Sequence, residues 1–183
     1  MAAGTLNSGG RGGSWLRVAL WSAAAGLLAL PAVAMQFTAE VNWTASDFGF
    51  AAVMIGGVGL LAEAAVRRSG NWAWRGGAAF ALAAAFMTIW ANGAVGMIGD
   101  EDNAYNLLFL GVVALALLGA VVARFRAGGM AAAMLVAGLV HAGVALGGYG
   151  VDPRGATFSL AFALLWLLSA ALFRTAAGDA RGA

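Results

Sequence analysis

Apolar residues in this chain gather into six runs, roughly residues 15–35, 47–66, 76–99, 107–123, 130–151 and 157–173, with short polar turns between them. Each run holds ~17–24 residues, which at ~1.5 Å per residue spans about 26–36 Å, the thickness of a bilayer's hydrocarbon core. None alternates polar and apolar residues with the period of two that a membrane barrel strand requires. The fold expected is therefore all-α, a polytopic transmembrane helix bundle of six helices. Composition agrees: 10% of residues are charged and 62% hydrophobic, against about 25% charged in a water-soluble domain. The 28 glycines suit helices that pack backbone to backbone in lipid.

Charge gives the bundle a direction. Arg11, Arg17, Arg67, Arg68, Arg75, Arg124, Arg126, Arg174 and Arg181 fall on one side of the alternating turns, and Arg154 alone on the other. The arginine-rich side belongs in the cytoplasm, with both termini. The opposite side collects Glu40, Asp47, Asp100, Glu101, Asp102 and Asp152. Residues 1–14 are rich in Gly and Ser and are expected to be disordered, and the small polar tail 174–183 is expected to fray. The first run ends in Ala32-Val33-Ala34, the pattern of a signal-peptide cleavage site. Its length favours retention as a helix, and cleavage would leave five helices.

Several functions are excluded outright. There is no cysteine, hence no disulfide, thiolate metal site or cysteine nucleophile. The net charge of +2 comes from arginines placed as topology signals, so nucleic acid is not an expected partner. No HExxH, Walker A or GxSxG motif occurs. Arginine without lysine, in a chain rich in Ala and Gly, suits a GC-rich bacterial genome and the inner membrane.

Ionisable and polar groups inside the runs are the candidate functional residues, because burying them in lipid is costly. Glu63 stands four residues before Arg67, the spacing of a local ion pair. His141, the single histidine, sits near the middle of the fifth run on a face with Ala137, Gly138, Ala145 and Gly148. Thr88, Asn92, Gly96 and Gly99 form a similar stripe in the third run. These faces suggest that helices 3 and 5 pack together, with Thr88 or Asn92 hydrogen-bonded to His141. Haem would need a second ligand such as Met87 or Met97, and Met in a membrane helix is ordinarily packing. No cofactor and no metal centre is expected. The external turn Asp100-Glu101-Asp102-Asn103 offers oxygen ligands but lacks the spacing of a calcium loop.

Two stretches, AMQFTAEVNWTASDF (34–48) and GMIGDEDNAYNLLFLGVVALALLGAVVARFRAGGMAAAM (96–134), resemble a family of small uncharacterised bacterial multi-span integral membrane proteins. The shared turn reads G-x-E-D-N-x-x-N-L, matched by Gly99, Glu101, Asp102, Asn103, Asn106 and Leu107. The resemblance implies a membrane location and a helical fold and no activity. The sequence as a whole suits a non-enzymatic inner-membrane protein whose partners are the lipid bilayer and other membrane subunits or copies of itself. The alternative is a small transporter or channel with a polar path through Thr88, Asn92 and His141, and Glu63 at its arginine-rich end.

Overall fold

The computed structural model describes residues 9–182. In chain order the helices are α1 (Gly9–Ala34), α2 (Ala45–Arg68), α3 (Trp72–Ala94), α4 (Leu107–Val122), α5 (Ala127–Gly147) and α6 (Pro153–Gly182), with a 3-10 turn at Ala104–Asn106 leading into α4. All six are long and apolar enough to cross a membrane, and no strand occurs among the described residues. The chain is a multi-pass membrane protein. It forms two units, Met1–Leu60 and Leu61–Ala183, whose boundary falls inside α2.

In the first unit the start of α2 is fixed by its own sequence. Thr44 and Asp47 cap each other: the Thr44 backbone N–H donates to Asp47 Oδ2 at 2.7 Å, and the Asp47 N–H reaches back to Thr44 Oγ1 at 3.4 Å. Trp43, just before the cap, meets Phe48 edge-on at 5.2 Å. A reciprocal cap with an apolar pair across it fixes the angle at which a chain enters a helix. Trp21 of α1 lies over Gly59 of α2, where a Cβ would come within 3.1 Å of the indole.

The second unit is built around α6. Its buried residues, Ala156, Ser159, Phe162, Ala163, Trp166, Ser169, Ala170, Phe173 and Ala176, recur every three or four positions along five turns, the stripe of a helix packed along its length. α3 and α5 both pack on it, and α4 packs on α5. Gly77 lets α3 approach the Phe173 ring, and Gly138 lets α5 approach Leu167 and Trp166. Ser169 Oγ adds an interhelical hydrogen bond to the Gly77 carbonyl at 2.7 Å. The Gly138 face of helix 5 is thus a packing surface, but against α6 and not chiefly against helix 3, and α3 meets α6 through Gly77, outside the expected stripe.

Both ends of the expected bundle differ from the sequence reading. Of the segment 1–14, residues 1–8 lie outside the described residues, and the chain is helical from Gly9. The tail after residue 173 continues α6 to Gly182. Phe173 and Ala176 are buried there, and Asn71, the N-cap of α3, donates from Nδ2 to Asp179 at 2.9 Å. Packing and that bond hold a segment whose polarity alone suggested a loose end.

Two glycines on α4 separate packing from propensity. A Cβ on Gly119 would stand 2.7 Å from the Ala133 Cβ and 3.5 Å from its Cα, whereas one on Gly111 meets nothing within 4 Å. Gly119→Ala should destabilise the bundle by about 1–3 kcal/mol through overpacking of α4 on α5. Gly111→Ala should be neutral or stabilising by up to ~1 kcal/mol. Unfolding of both variants in mixed micelles checks the contrast.

Candidate functional site

The densest polar construction in the molecule is the connection from α3 to α4. The third apolar run predicts a helix to residue 99, but α3 stops at Ala94. Gly96 and Gly99 take positive φ values of 76° and 71°, a backbone region that side chains with a Cβ rarely enter. At Gly96 a Cβ would also collide with the Asp100 carbonyl. These two glycines therefore belong to a folded turn and not to a helical stripe with Thr88 and Asn92.

One side chain organises that turn. Asn106, 4% exposed, accepts from the backbone N–H groups of Met97 at 3.1 Å and Ile98 at 2.8 Å through Oδ1. Its Nδ2 donates to the Asp100 carbonyl at 2.7 Å. The Asn106 carbonyl in turn accepts from Asn92 Nδ2 on α3 at 3.1 Å. Asn103 does the same on a smaller scale, capping Tyr105 N–H with Oδ1 and donating to the Ile98 carbonyl, both at 3.0 Å. Backbone groups that leave a helix near lipid need partners within the protein, and the two asparagine amides supply donor and acceptor together.

The turn is tied to α5 and α6 as well. Tyr105 donates its hydroxyl to the Val144 carbonyl in the last turn of α5 at 2.8 Å. Asp152 accepts from Gly99 N–H at 3.1 Å through one oxygen, and from the Arg154 and Gly155 N–H groups at 3.1 and 2.9 Å through the other. It thereby caps α6 and fastens the turn with one carboxylate. The Gly155 and Gly99 amide bonds hold its pKa below the ordinary aspartate value. A depressed carboxylate stabilises the fold fully above the unfolded pKa, and loses that contribution as pH falls through the folded one. The tie between turn and α6 is therefore an acid-labile one.

The acids that mark this turn in the sequence stand apart from its framework. Asp100, Glu101 and Asp102 are exposed, and their carboxylates take no part in the turn's hydrogen bonds. No group of three His, Cys, Asp or Glu side chains is placed to share an ion among the described residues.

Beneath the turn lies His141, with no exposed surface. Its ring stands 5.1 Å from Phe109 of α4 and 6.4 Å from Phe162 of α6, tilted or edge-on to each. Neither ring nitrogen has a hydrogen-bond partner among the described residues. The bond expected from Thr88 or Asn92 is not formed. Thr88 Oγ1 donates to Ala84 one turn back on its own helix at 2.7 Å, and the Asn92 amide is taken by Asn106. The reason is the packing order: α6 receives both helices, and the α3–α4 turn competes for Asn92. Glu63 forms the pair that its spacing suggested, 2.7 Å from Arg67, with Arg67 largely in the open, where such a pair contributes little.

Sequence reasoning read the turn for its charge and missed its framework. The signals were present: two asparagines three residues apart after two spaced glycines, and Asp152 directly before Pro153, the order of an N-cap followed by a proline in the first helical position.

Asn106→Ala should cost about 3 kcal/mol, since two N–H groups and one carbonyl lose their partner at a buried site. Faster hydrogen exchange at Met97 and Ile98 would mark the loss as local. For His141, replacement by Leu fills the space without an unpaired polar group, and should leave stability within about 1 kcal/mol or raise it. His141→Ala should cost ~2–4 kcal/mol as a cavity. A large loss in the Leu variant would instead reveal a partner for the imidazole.

Comparison with protein-family models, curated proteins and solved structures finds no match to this chain.

Proposed function

We propose that the chain is a non-enzymatic integral protein of the bacterial inner membrane, of the small multi-span kind that its turn motif resembles, with both termini in the cytoplasm. Its role is that of an accessory subunit in a larger membrane complex. The observation that carries this reading is the use made of the polar groups. Asn92, Asn103, Asn106 and Asp152 bind backbone groups of their own chain, which stiffens one end of a bundle and presents an acidic turn there. Such a construction suits docking against a neighbour better than chemistry on a substrate. Short connections between helices leave the lipid-facing helix surfaces and this turn as the places for a neighbour to bind.

A transporter with a path through Thr88, Asn92 and His141 has less support. Such a path needs side chains that face one water-filled route. Thr88 is bonded within α3, Asn92 to the turn, and His141 is enclosed by phenylalanine rings.

Native mass spectrometry after gentle extraction from the membrane tests the proposal. Partner subunits in fixed stoichiometry are expected, and exchanging Asp100, Glu101 and Asp102 for Asn and Gln should weaken their retention. A chain that is recovered alone or only with copies of itself would count against the accessory role.

A further inference from the structure

At the opposite, arginine-rich end of the second unit lies a cavity of about 410 Å³, within the size range of small-molecule sites. It exists because alanines meet there. Ala64 and Ala65 come from the last turns of α2, Ala78, Ala81 and Ala85 from α3, and Ala116 and Ala120 from α4. None is large enough to fill the gap between the helices. Trp166 of α6 and Met134 of α5 line it too, Trp74 and Phe125 are at its arginine-rich end, and it is partly open. From Trp74 to Ala85 is eleven residues of α3, about 16 Å along the helix axis, close to half of a ~30 Å hydrocarbon core. The cavity has the depth of one leaflet.

Its mouth is basic. Arg68 lines it, and this guanidinium is oriented by a 3.0 Å bond to the Arg124 carbonyl and by the Phe125 ring 5.6 Å away. Arg124 and Phe125 hold positive φ angles of 50° and 57°, an uncommon conformation for residues with side chains. That conformation makes the tight α4–α5 turn that brings the Arg124 carbonyl to Arg68. Arg126 follows immediately as the N-cap of α5. Arg68, Arg124 and Arg126 are all exposed, and none has a carboxylate partner among the described residues. The carboxylates nearby are engaged elsewhere, Glu63 with Arg67 and Asp179 with Asn71.

We infer that this cavity binds one anionic phospholipid, its phosphate held by Arg68, Arg124 and Arg126 and one acyl chain lying among the alanines. Guanidinium groups match phosphate oxygens in geometry and charge, and basic pockets between membrane helices suit such headgroups. An apolar slot one leaflet deep, lined at one end by Arg68 and adjoined by the turn that carries Arg124 and Arg126, fits a lipid with both parts better than a free anion, which would leave the slot unused.

The test is native mass spectrometry of the full chain in micelles holding equal amounts of dioleoyl phosphatidylglycerol and dioleoyl phosphatidylcholine. One phosphatidylglycerol per chain is expected, preferred about tenfold or more, a ratio equivalent to ~1.4 kcal/mol. Arg68→Gln combined with Arg126→Gln should abolish the preference. Ala81→Leu should abolish retention by filling the slot, while Ala114→Leu on the exposed face of α4 should change nothing. Ala85→Leu replaces Ala81→Leu if the latter does not elute as a folded protein. Equal retention of the two lipids, or retention indifferent to the filled slot, would overturn the inference. So would displacement of the lipid by inorganic phosphate alone, or a dimer or partner protein that is lost when the slot is filled.

Discussion

Asn106 is the point on which the second unit turns. A bundle of membrane helices has few ways to stop one helix and start the next close by, because each exposed N–H and C=O must find a partner away from water. Here one primary amide satisfies two N–H groups and a carbonyl of the α3–α4 connection, while its own carbonyl receives Asn92. With the turn closed in this way, Gly99 meets Asp152 at the head of α6 and Tyr105 meets the end of α5. Three helix ends are thereby fixed against each other by side chains of one short segment.

The same economy explains why α6 is central. It carries large residues, Phe162, Trp166 and Phe173, on the face that is buried. α3 and α5 bring glycines to that face. Large against small gives close contact in lipid, where helices gain nothing from leaving water and associate through van der Waals packing instead. Where small residues from several helices face each other and the large ones stand only at the margin, as among the alanines of α2, α3 and α4, the result is a cavity. The close-packed middle of the unit and its open basic end follow from one rule of packing applied with different residues.

His141 shows how far polarity alone can mislead. A single histidine in mid-membrane attracts a functional reading, yet its ring is held by Phe109 and Phe162 and makes no hydrogen bond among the described residues. The asparagines of the turn, unremarkable in a loop by composition, carry the geometry. Which polar group matters depends on which backbone groups lack partners, and that is visible only once the chain is folded.

The sequence by itself determined the number and type of the helices, since a run of about twenty apolar residues in lipid can satisfy its backbone only as a helix. It also determined the Glu63–Arg67 pair, because that is a contact within about one turn of one helix. Helix partners were decided only by the tertiary structure. Small-residue faces occur on both α3 and α5, and nothing in either says that the matching large residues lie on α6. The end of α3 was decided there too: an apolar stretch up to Gly99 reads as helix until Asn106, about two turns further on, takes the amides that the helix would have used.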